Sequence, residues 1–437
     1  MSIVIIQKEG ASEWKSCQGI TSNLAKGYEI MPDESVYFER VNPSITVFEA
    51  HALVLRLIKI KPTAISFIDH YPHPAPIIKA LRSYYQKNSL ELPLLVFHIF
   101  GDYVLQCLQW REMEEDLKEF KTQFICASHN QAALIDSFHQ EDECDVIPFP
   151  VSDLDYFYSE EVREKAREKY NFKKEFIFLY TGRLSYQKNI TTLLSNFSTF
   201  IKNFDQKAKL VVAGPMDDLA IPYLGKEALP GTFYFHWEEA IKEYELQEHI
   251  LYLGDCNQVQ LFEVYNAADC YISLSTHNDE DYGMSPAEAL CTGLPCILTA
   301  WGGFSSFGHY LPSWVDLVDV ENRGDRNLPL SHNTFKAMAS VFIKKESNSE
   351  ISSDRTLMAT TAHEILGIQA VSSKLKNIFK NCNRKRFGGY TPKFSKLCAQ
   401  FENNPHSPFR SAQGGYSLFY HDIYKNYSRR AINKEYK

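Results

Sequence analysis

Short β-rich runs alternate with helix-length segments through the first 150 residues, stop at Pro148-Phe149-Pro150, and resume after a charged helical stretch at Glu160–Tyr170. Parallel strands need a crossover between them, usually a helix, so this alternation predicts parallel sheets covered on both faces. In the first half the expected strands are Ser2–Ile6, Ala64–Ile68, Leu94–Phe97, Phe124–Ala127 and Asp145–Ile147, with helices at Ala50–Ile58, Ile77–Gln86 and Tyr103–Phe120. In the second they are Phe176–Thr181, Lys209–Ala213, His249–Leu253, Cys270–Leu274 and Cys296–Thr299, with helices at Asn189–Phe204, Gln258–Ala267 and Ser285–Thr292. Two such runs in 437 residues predict an α/β chain of two Rossmann-like domains facing each other across a cleft, with ligands at strand C-termini. The expected domains are 1–150, 151–405, and a tail at 406–437 that packs back on the first domain. Beyond residue 320 the strands fade: 345–356 reads as a polar loop and 357–379 as one long helix.

The net charge of −8 argues against nucleic acid as a partner. Ser2–Ile6 follows no basic region and reads as a strand, not a leader, and the apolar stretch Leu92–Phe100 is too short to cross a bilayer. Ten cysteines without a paired metal-ligand spacing fit the thiols of a reducing cytosol and give no zinc site. The expected location is therefore cytoplasmic. Basic residues beside apolar ones, Lys79 and Arg82 in Ile77–Gln86 and Arg56, Lys59 and Lys61 in Leu53–Lys61, fit peripheral docking at the inner face of a membrane as well as a solvated surface.

Two segments carry chemistry. In the first, an apolar strand ends in polar residues from Ser275 to Asp281, turns at Gly283, and enters a helix with Pro286 in its first turn. The amides of Gly283, Met284 and Ser285 would point out of that helix start, where the dipole favours an anion such as a diphosphate. Glu280 in the loop and Glu288 about one turn into the helix can both face such a ligand, and carboxylates accept from paired sugar hydroxyls. Each also reads as an ordinary helix or loop acid. In the second segment, strand Phe178–Thr181 runs into Gly182-Arg183, with Lys188 five residues on, just before a helix. Two cations at one strand end can clamp a diphosphate and stabilise it as a leaving group, or be solvated loop charges.

Together these segments, with Val211–Gly214, Leu253-Gly254, Gly293-Leu294-Pro295 and Gly302-Gly303, resemble the large retaining GT-B glycosyltransferase family known as glycosyl transferases group 1, or family four. That family holds many bacterial polysaccharide enzymes and relatives of sucrose and glycogen synthases. The resemblance covers residues 175 to 305; the N-terminal half matches through Phe124–Ser128 and Ile147–Asp153. It implies that Arg183 and Lys188 bind the donor diphosphate, that Glu288 holds the ribose and Glu280 the transferred sugar, and that the backbone of Asp281, Tyr282, Gly283 and Met284 meets sugar and phosphate. Gly182, Gly214, Gly254 and Ser285 complete the implied donor site, and His98 would lie near the reacting sugar. Where the family often has a Gly-Gly pair in its first loop, this chain has Gln18-Gly19, so Gly19 is the expected phosphate-approaching glycine.

The resemblance implies a hexosyltransferase using a nucleotide-sugar co-substrate, no cofactor and no metal, with a glycan, lipid-linked or small-molecule acceptor. Asp279-Glu280-Asp281 and Asp153-Leu154-Asp155 satisfy the D-x-D pattern of metal-dependent transferases, but the first straddles the Glu280/Glu288 pattern. A nucleotide-sugar-binding pseudoenzyme or support subunit is the alternative. The segment 221–232 after Gly214 is a candidate for donor or acceptor choice.

Overall fold

A computed structural model of the chain describes residues 1–10, 15–32, 34–68, 74–141, 143–204, 206–217, 231–324, 326–347, 351–380 and 385–428. The chain forms two compact units: Met1–Pro150 with Ile368–Pro405, and Val151–Gly367 with the residues from His406 on.

In the first unit, β1 (Ser2–Lys8), β2 (Ser35–Val41), β3 (Ala64–Phe67), β4 (Leu94–His98), β5 (Thr122–Cys126) and β6 (Asp145–Val146) pair in parallel in the order β2-β1-β3-β4-β5-β6. Helices α1 (Lys15–Glu29), α2 (Val47–Ile60) and α3 (Ala75–Lys87) connect the first four strands. Ile3 to Ile6 are all buried, as in a strand covered on both faces. α2 opens on a capping box in which Thr46 and Glu49 satisfy each other's amides. The helix expected over 103–120 is broken into a 3-10 turn (Tyr103–Gln106), α4 (Cys107–Glu112) and α5 (Glu114–Leu117). The bends let Tyr103 and Trp110 stack together while Trp110 meets Phe97 and Phe124 edge-on. α6 (His129–Asp136) follows β5.

In the second unit, α7 (Glu160–Lys169) precedes β7 (Ile177–Thr181), α8 (Ile190–Asn203), β8 (Lys209–Ala213), α9 (Thr232–Glu243), β9 (Ile250–Gly254), α10 (Gln258–Ala267), β10 (Cys270–Ser273), α11 (Met284–Cys291), β11 (Cys296–Thr299), α12 (Phe304–Tyr310) and β12 (Val315–Val318). The parallel sheet runs β12-β11-β10-β7-β8-β9. A hairpin follows, β13 (Val320–Asn322) with β14 (Asn327–Pro329). The order reverses between β7 and β10, and at such a switch point the loops leaving the two strands diverge and open a crevice at their C-terminal ends. This puts the loop after Thr181 beside the loop after Ser273. At the opposite end Asp269, just before β10, accepts from Arg163 (2.6 Å), Arg167 (3.3 Å), Lys345 (2.8 Å) and the Ile177 amide (2.8 Å). Burial alone would raise its pKa; Arg163, Lys345 and Arg167 outweigh that and hold it well below the carboxylate range.

The C-terminal third departs from the sequence-based expectation. Most of 345–356 is helical rather than loop: α13 (Ser331–Ser347) runs into it and α14 (Ile351–Leu366) begins within it. The polar residues there have a tertiary task, because buried Arg355 donates to the carbonyls of Tyr265, Asn266, Ala268 and Thr292 at the ends of α10 and α11. The long helix expected over 357–379 is two, α14 and α15 (Ile368–Lys380), parted at Gly367, where a Cβ would stand 2.5 Å from the His363 carbonyl. Gly367 is also where the chain changes units, so the expected domain 151–405 is corrected. α15 packs on α1, with Phe379 edge-on to Tyr28, and α16 (Pro392–Asn403) packs on α4, where the Cys398 thiol meets the Cys107 carbonyl at 3.5 Å. The tail from His406, including α17 (Leu418–Ile423), belongs to the second unit and not, as expected, to the first: the Gly302 amide donates to the Tyr427 carbonyl (2.9 Å) and the Tyr420 hydroxyl to Asn278 (3.0 Å). Among the described residues no helix is long and apolar enough to cross a membrane.

Candidate functional site

The floor of the site is backbone. Gly182 and Gly214 follow β7 and β8 with φ of +142° and +146°, and a Cβ on Gly214 would fall on the Gly182 carbonyl. The Gly182 amide donates to the Ala213 carbonyl (2.9 Å) and the Gly214 amide to that of Gly254 (2.7 Å), so the ends of β7, β8 and β9 are laced together. Of the expected segment 221–232, only Gly231 and Thr232 are among the described residues.

Above that floor stand the cations. Arg183 forms an ion pair with Asp217, two residues beyond the β8 end loop's Pro215, and Lys188 forms one with Glu280. All four side chains are at most a quarter exposed. Asn189, in the left-handed region at φ +53°, donates from its amide side chain to the Leu274 carbonyl (2.9 Å) and Thr276 Oγ1 (2.8 Å), tying the cation loop to the acid loop. His277 belongs to the acid loop; burial first, then Lys188 and Arg183, push its pKa well below the ordinary imidazole value.

Glu288 sits in the second turn of α11, where its carboxylate accepts from the Tyr265 hydroxyl (2.9 Å), itself 2.7 Å from Thr181 Oγ1. Burial raises the Glu288 pKa to about 7 against the opposing hydrogen bonds of Tyr265 and Tyr156. The loop from Glu280 to Gly283 is fixed from behind. The Gly303 amide donates to the Glu280 carbonyl (2.7 Å), the Trp301 indole donates to the His277 carbonyl (2.9 Å), and Gly283 turns at φ +104° with Phe304 where a Cβ would stand 2.5 Å away. Asp281, Tyr282, Met284 and Ser285 follow the same path into α11.

Thus Gly182, Arg183, Lys188, Gly214, Glu280 to Ser285 and Glu288 gather at one switch point, with Gly254 bonded to its edge. The other two expected residues belong to the first unit. Gly19 lies inside α1, in the open and away from any loop, so its expected place in the first loop is corrected; Gly10, at φ +84°, stands in the turn after β1. The helix simply begins earlier than the apolar pattern at Ile20 suggests. His98 ends β4, 6% exposed, with Nε2 2.8 Å from the Tyr28 hydroxyl, which is also 2.8 Å from Ser66 Oγ. Burial drives its pKa to about 3, so it is a neutral imidazole, and it lines a pocket of roughly 30 Å³ with Phe97, Phe100, Gln106, Gln109 and Trp110. Sequence reasoning missed Asp217, Asn189, Tyr265 and Trp301, which have no motif of their own.

The family model described as "Glycosyl transferases group 1" matches residues 162–307, the span from α7 into α12. Mannosylfructose-phosphate synthase of Agrobacterium fabrum is 26% identical over 179 residues, 40% of this chain and 35% of that protein. Alpha-monoglucosyldiacylglycerol synthase of Streptococcus pneumoniae is 30% identical over 178 residues, 40% and 36% of the two chains. The aligned part thus spans about a third of these relatives' length. Among solved structures, the Anabaena protein HepE in complex with UDP superposes with a TM-score of 0.62 at 14% identity, covering 87% of this chain and 100% of that one. Sucrose-phosphate synthase from Thermosynechococcus elongatus gives 0.57 at 14% identity, with 87% and 98% covered. These likenesses identify the two-sheet architecture as the GT-B fold.

Proposed function

We propose that the chain, which the glycosyl transferases group 1 family model matches over residues 162–307, belongs to that family and moves a hexose-type sugar from a nucleotide-sugar donor to a hydroxyl of a glycan, lipid-linked or small-molecule acceptor, with retention of configuration and without a metal. The observation that carries this reading is the meeting of two acid-paired cations with the hydroxyl-bonded Glu288 at the β7/β10 switch point. The names of the two curated relatives, built on mannosyl and monoglucosyl groups, and the UDP bound by HepE support a hexose on a nucleotide.

Arg183 and Lys188 then neutralise the diphosphate as the sugar–phosphate bond breaks, while Glu280 and Glu288 accept from sugar and ribose hydroxyls. A double displacement needs a carboxylate nucleophile under the anomeric carbon; Glu280, held against Lys188, is committed elsewhere. Departure and attack on the same face account for retention: the C–O bond to phosphate breaks, the bond to the acceptor oxygen forms, and the departing phosphate takes the acceptor proton. NMR of the product anomer tests this, and inversion would refute it; turnover that stops in excess EDTA would refute metal independence.

Glu288 makes donor binding pH-dependent. To accept ribose hydroxyls it must be ionised, and with a pKa of about 7 it is mostly ionised at pH 8 and mostly protonated at pH 6. Donor affinity measured by calorimetry should therefore fall about tenfold from pH 8 to pH 6, with proton release on binding. In Glu288→Gln the slope should vanish. The sign for folding is the reverse: a raised carboxyl pKa favours the folded state at low pH, and that contribution is lost as pH rises from about 4.5 through about 7.

A further inference from the structure

We propose that Glu280 makes the cation pair prefer a sugar-linked diphosphate over the free nucleoside diphosphate, so that the product is expelled once the sugar has left. This rests on the proposed donor site and adds to it a selectivity that cations alone do not provide. A pyrophosphate esterified at both ends carries one negative charge per phosphate. Transfer leaves the β-phosphate a monoester, whose second ionisation near pH 6 adds close to one more negative charge at neutral pH. Two cations by themselves hold the more highly charged product more tightly, and a transferase so built is inhibited by its own product.

In this protein neither cation stands alone. Lys188 is paired with Glu280, and the two side chains are only 16% and 11% exposed, so little water screens them. The backbone that carries the carboxylate is also held in place. The Glu280 amide donates to the His277 carbonyl (3.1 Å), its carbonyl accepts from Gly303 (2.7 Å), and the loop ahead of it is stapled by Asn189 to the turn carrying Lys188. Glu280 therefore stays within reach of Lys188 when a phosphate approaches that cation. Facing a nucleotide sugar, it accepts from hydroxyls of the sugar attached to that phosphate. Facing the free nucleoside diphosphate, it has no hydroxyl to accept from and meets the added negative charge directly. The same carboxylate is attractive to the donor and repulsive to the product. Asp217, paired with Arg183 across the β7–β8 edge, keeps the second cation from compensating.

The test compares dissociation constants for matched pairs, UDP-glucose with UDP, GDP-mannose with GDP and ADP-glucose with ADP, in the full chain and in Glu280→Gln. The amide still offers Lys188 an oxygen and leaves the loop's backbone bonds intact, and a thermal midpoint within about 3 °C of the parent confirms folding. For the pair that binds, Glu280→Gln should tighten the nucleoside diphosphate about tenfold, a gain of roughly 1.4 kcal/mol, while the nucleotide sugar binds equally or more weakly. Product inhibition of turnover should deepen in step. If the variant weakens or leaves unchanged the nucleoside diphosphate while the parent binds the sugar nucleotide, the selectivity idea fails and the donor site stands. If the parent binds none of the six, both fail.

Discussion

Replacing Arg183 and Lys188 together by glutamine should lower affinity for the nucleotide-sugar donor by two to four orders of magnitude. Each removes a charge-assisted hydrogen bond worth roughly 1.5–3 kcal/mol, and about 1.4 kcal/mol is a factor of ten. Turnover should fall further, because the developing charge on the departing phosphate exceeds that of the bound ground state. Glutamine is preferable to alanine here: Asp217 and Glu280 pair with the cations and are only 17% and 11% exposed, so truncation would take an ion-pair partner from each of two largely buried acids and confuse folding with binding. The readout that isolates the phosphates is the free nucleoside, whose affinity should be indifferent to the change. Calorimetry that found donor affinity intact in the double variant would remove the pocket from consideration.

How much of this pocket can be read from the chain follows from how far apart its parts lie in sequence. The strand-loop-helix from Ala268 to Leu290 is local: apolar strand, polar loop, Gly283, Pro286 and two glutamates stand in one stretch, and the structure places each of them at the switch point. The same holds for Gly182, Arg183 and Lys188. What no local pattern announces is which residues complete them. Asp217 is an acid in an unremarked loop until β8 lies beside β7, and Tyr265 is one aromatic among many until α10 carries its hydroxyl to Glu288. Polar residues mislead when their partners are distant. Arg355 reads as a loop cation because nothing nearby in sequence predicts that its guanidinium will collect the carbonyls closing α10 and α11. Gly293, matched in the chain as part of Gly293-Leu294-Pro295, is needed for the same reason, since a side chain there would strike the Arg355 carbonyl. The C-terminal exchange between units escapes sequence patterning altogether: α15 and α16 are amphipathic, and an apolar stripe says that a helix packs without saying on what.

Gly214→Ala should be the most destabilising single-methyl change at the site. Its Cβ would fall on the carbonyl of Gly182, which is backbone at the end of a central strand and cannot rotate aside like a side chain, and its φ of +146° is one that side chains rarely adopt. Strain of about 1–3 kcal/mol for the dihedral and about 1–3 kcal/mol for overpacking together amount to roughly 2–6 kcal/mol. At about 2–4 °C per kcal/mol for a unit of this size, the thermal midpoint should drop by roughly 5–20 °C. Gly254→Ala is the matched control: φ is +67° and open space surrounds the new methyl, so only the left-handed backbone is strained, at about 1–2 kcal/mol. Donor binding separates the two further. Relieving the Gly214 clash must move the β7 end, and with it Arg183, whereas Gly254 bears no cation. A Gly214→Ala protein as stable as the Gly254→Ala protein, with its affinity unchanged, would mean that the strand ends are not packed backbone to backbone and that Arg183 is not positioned by them.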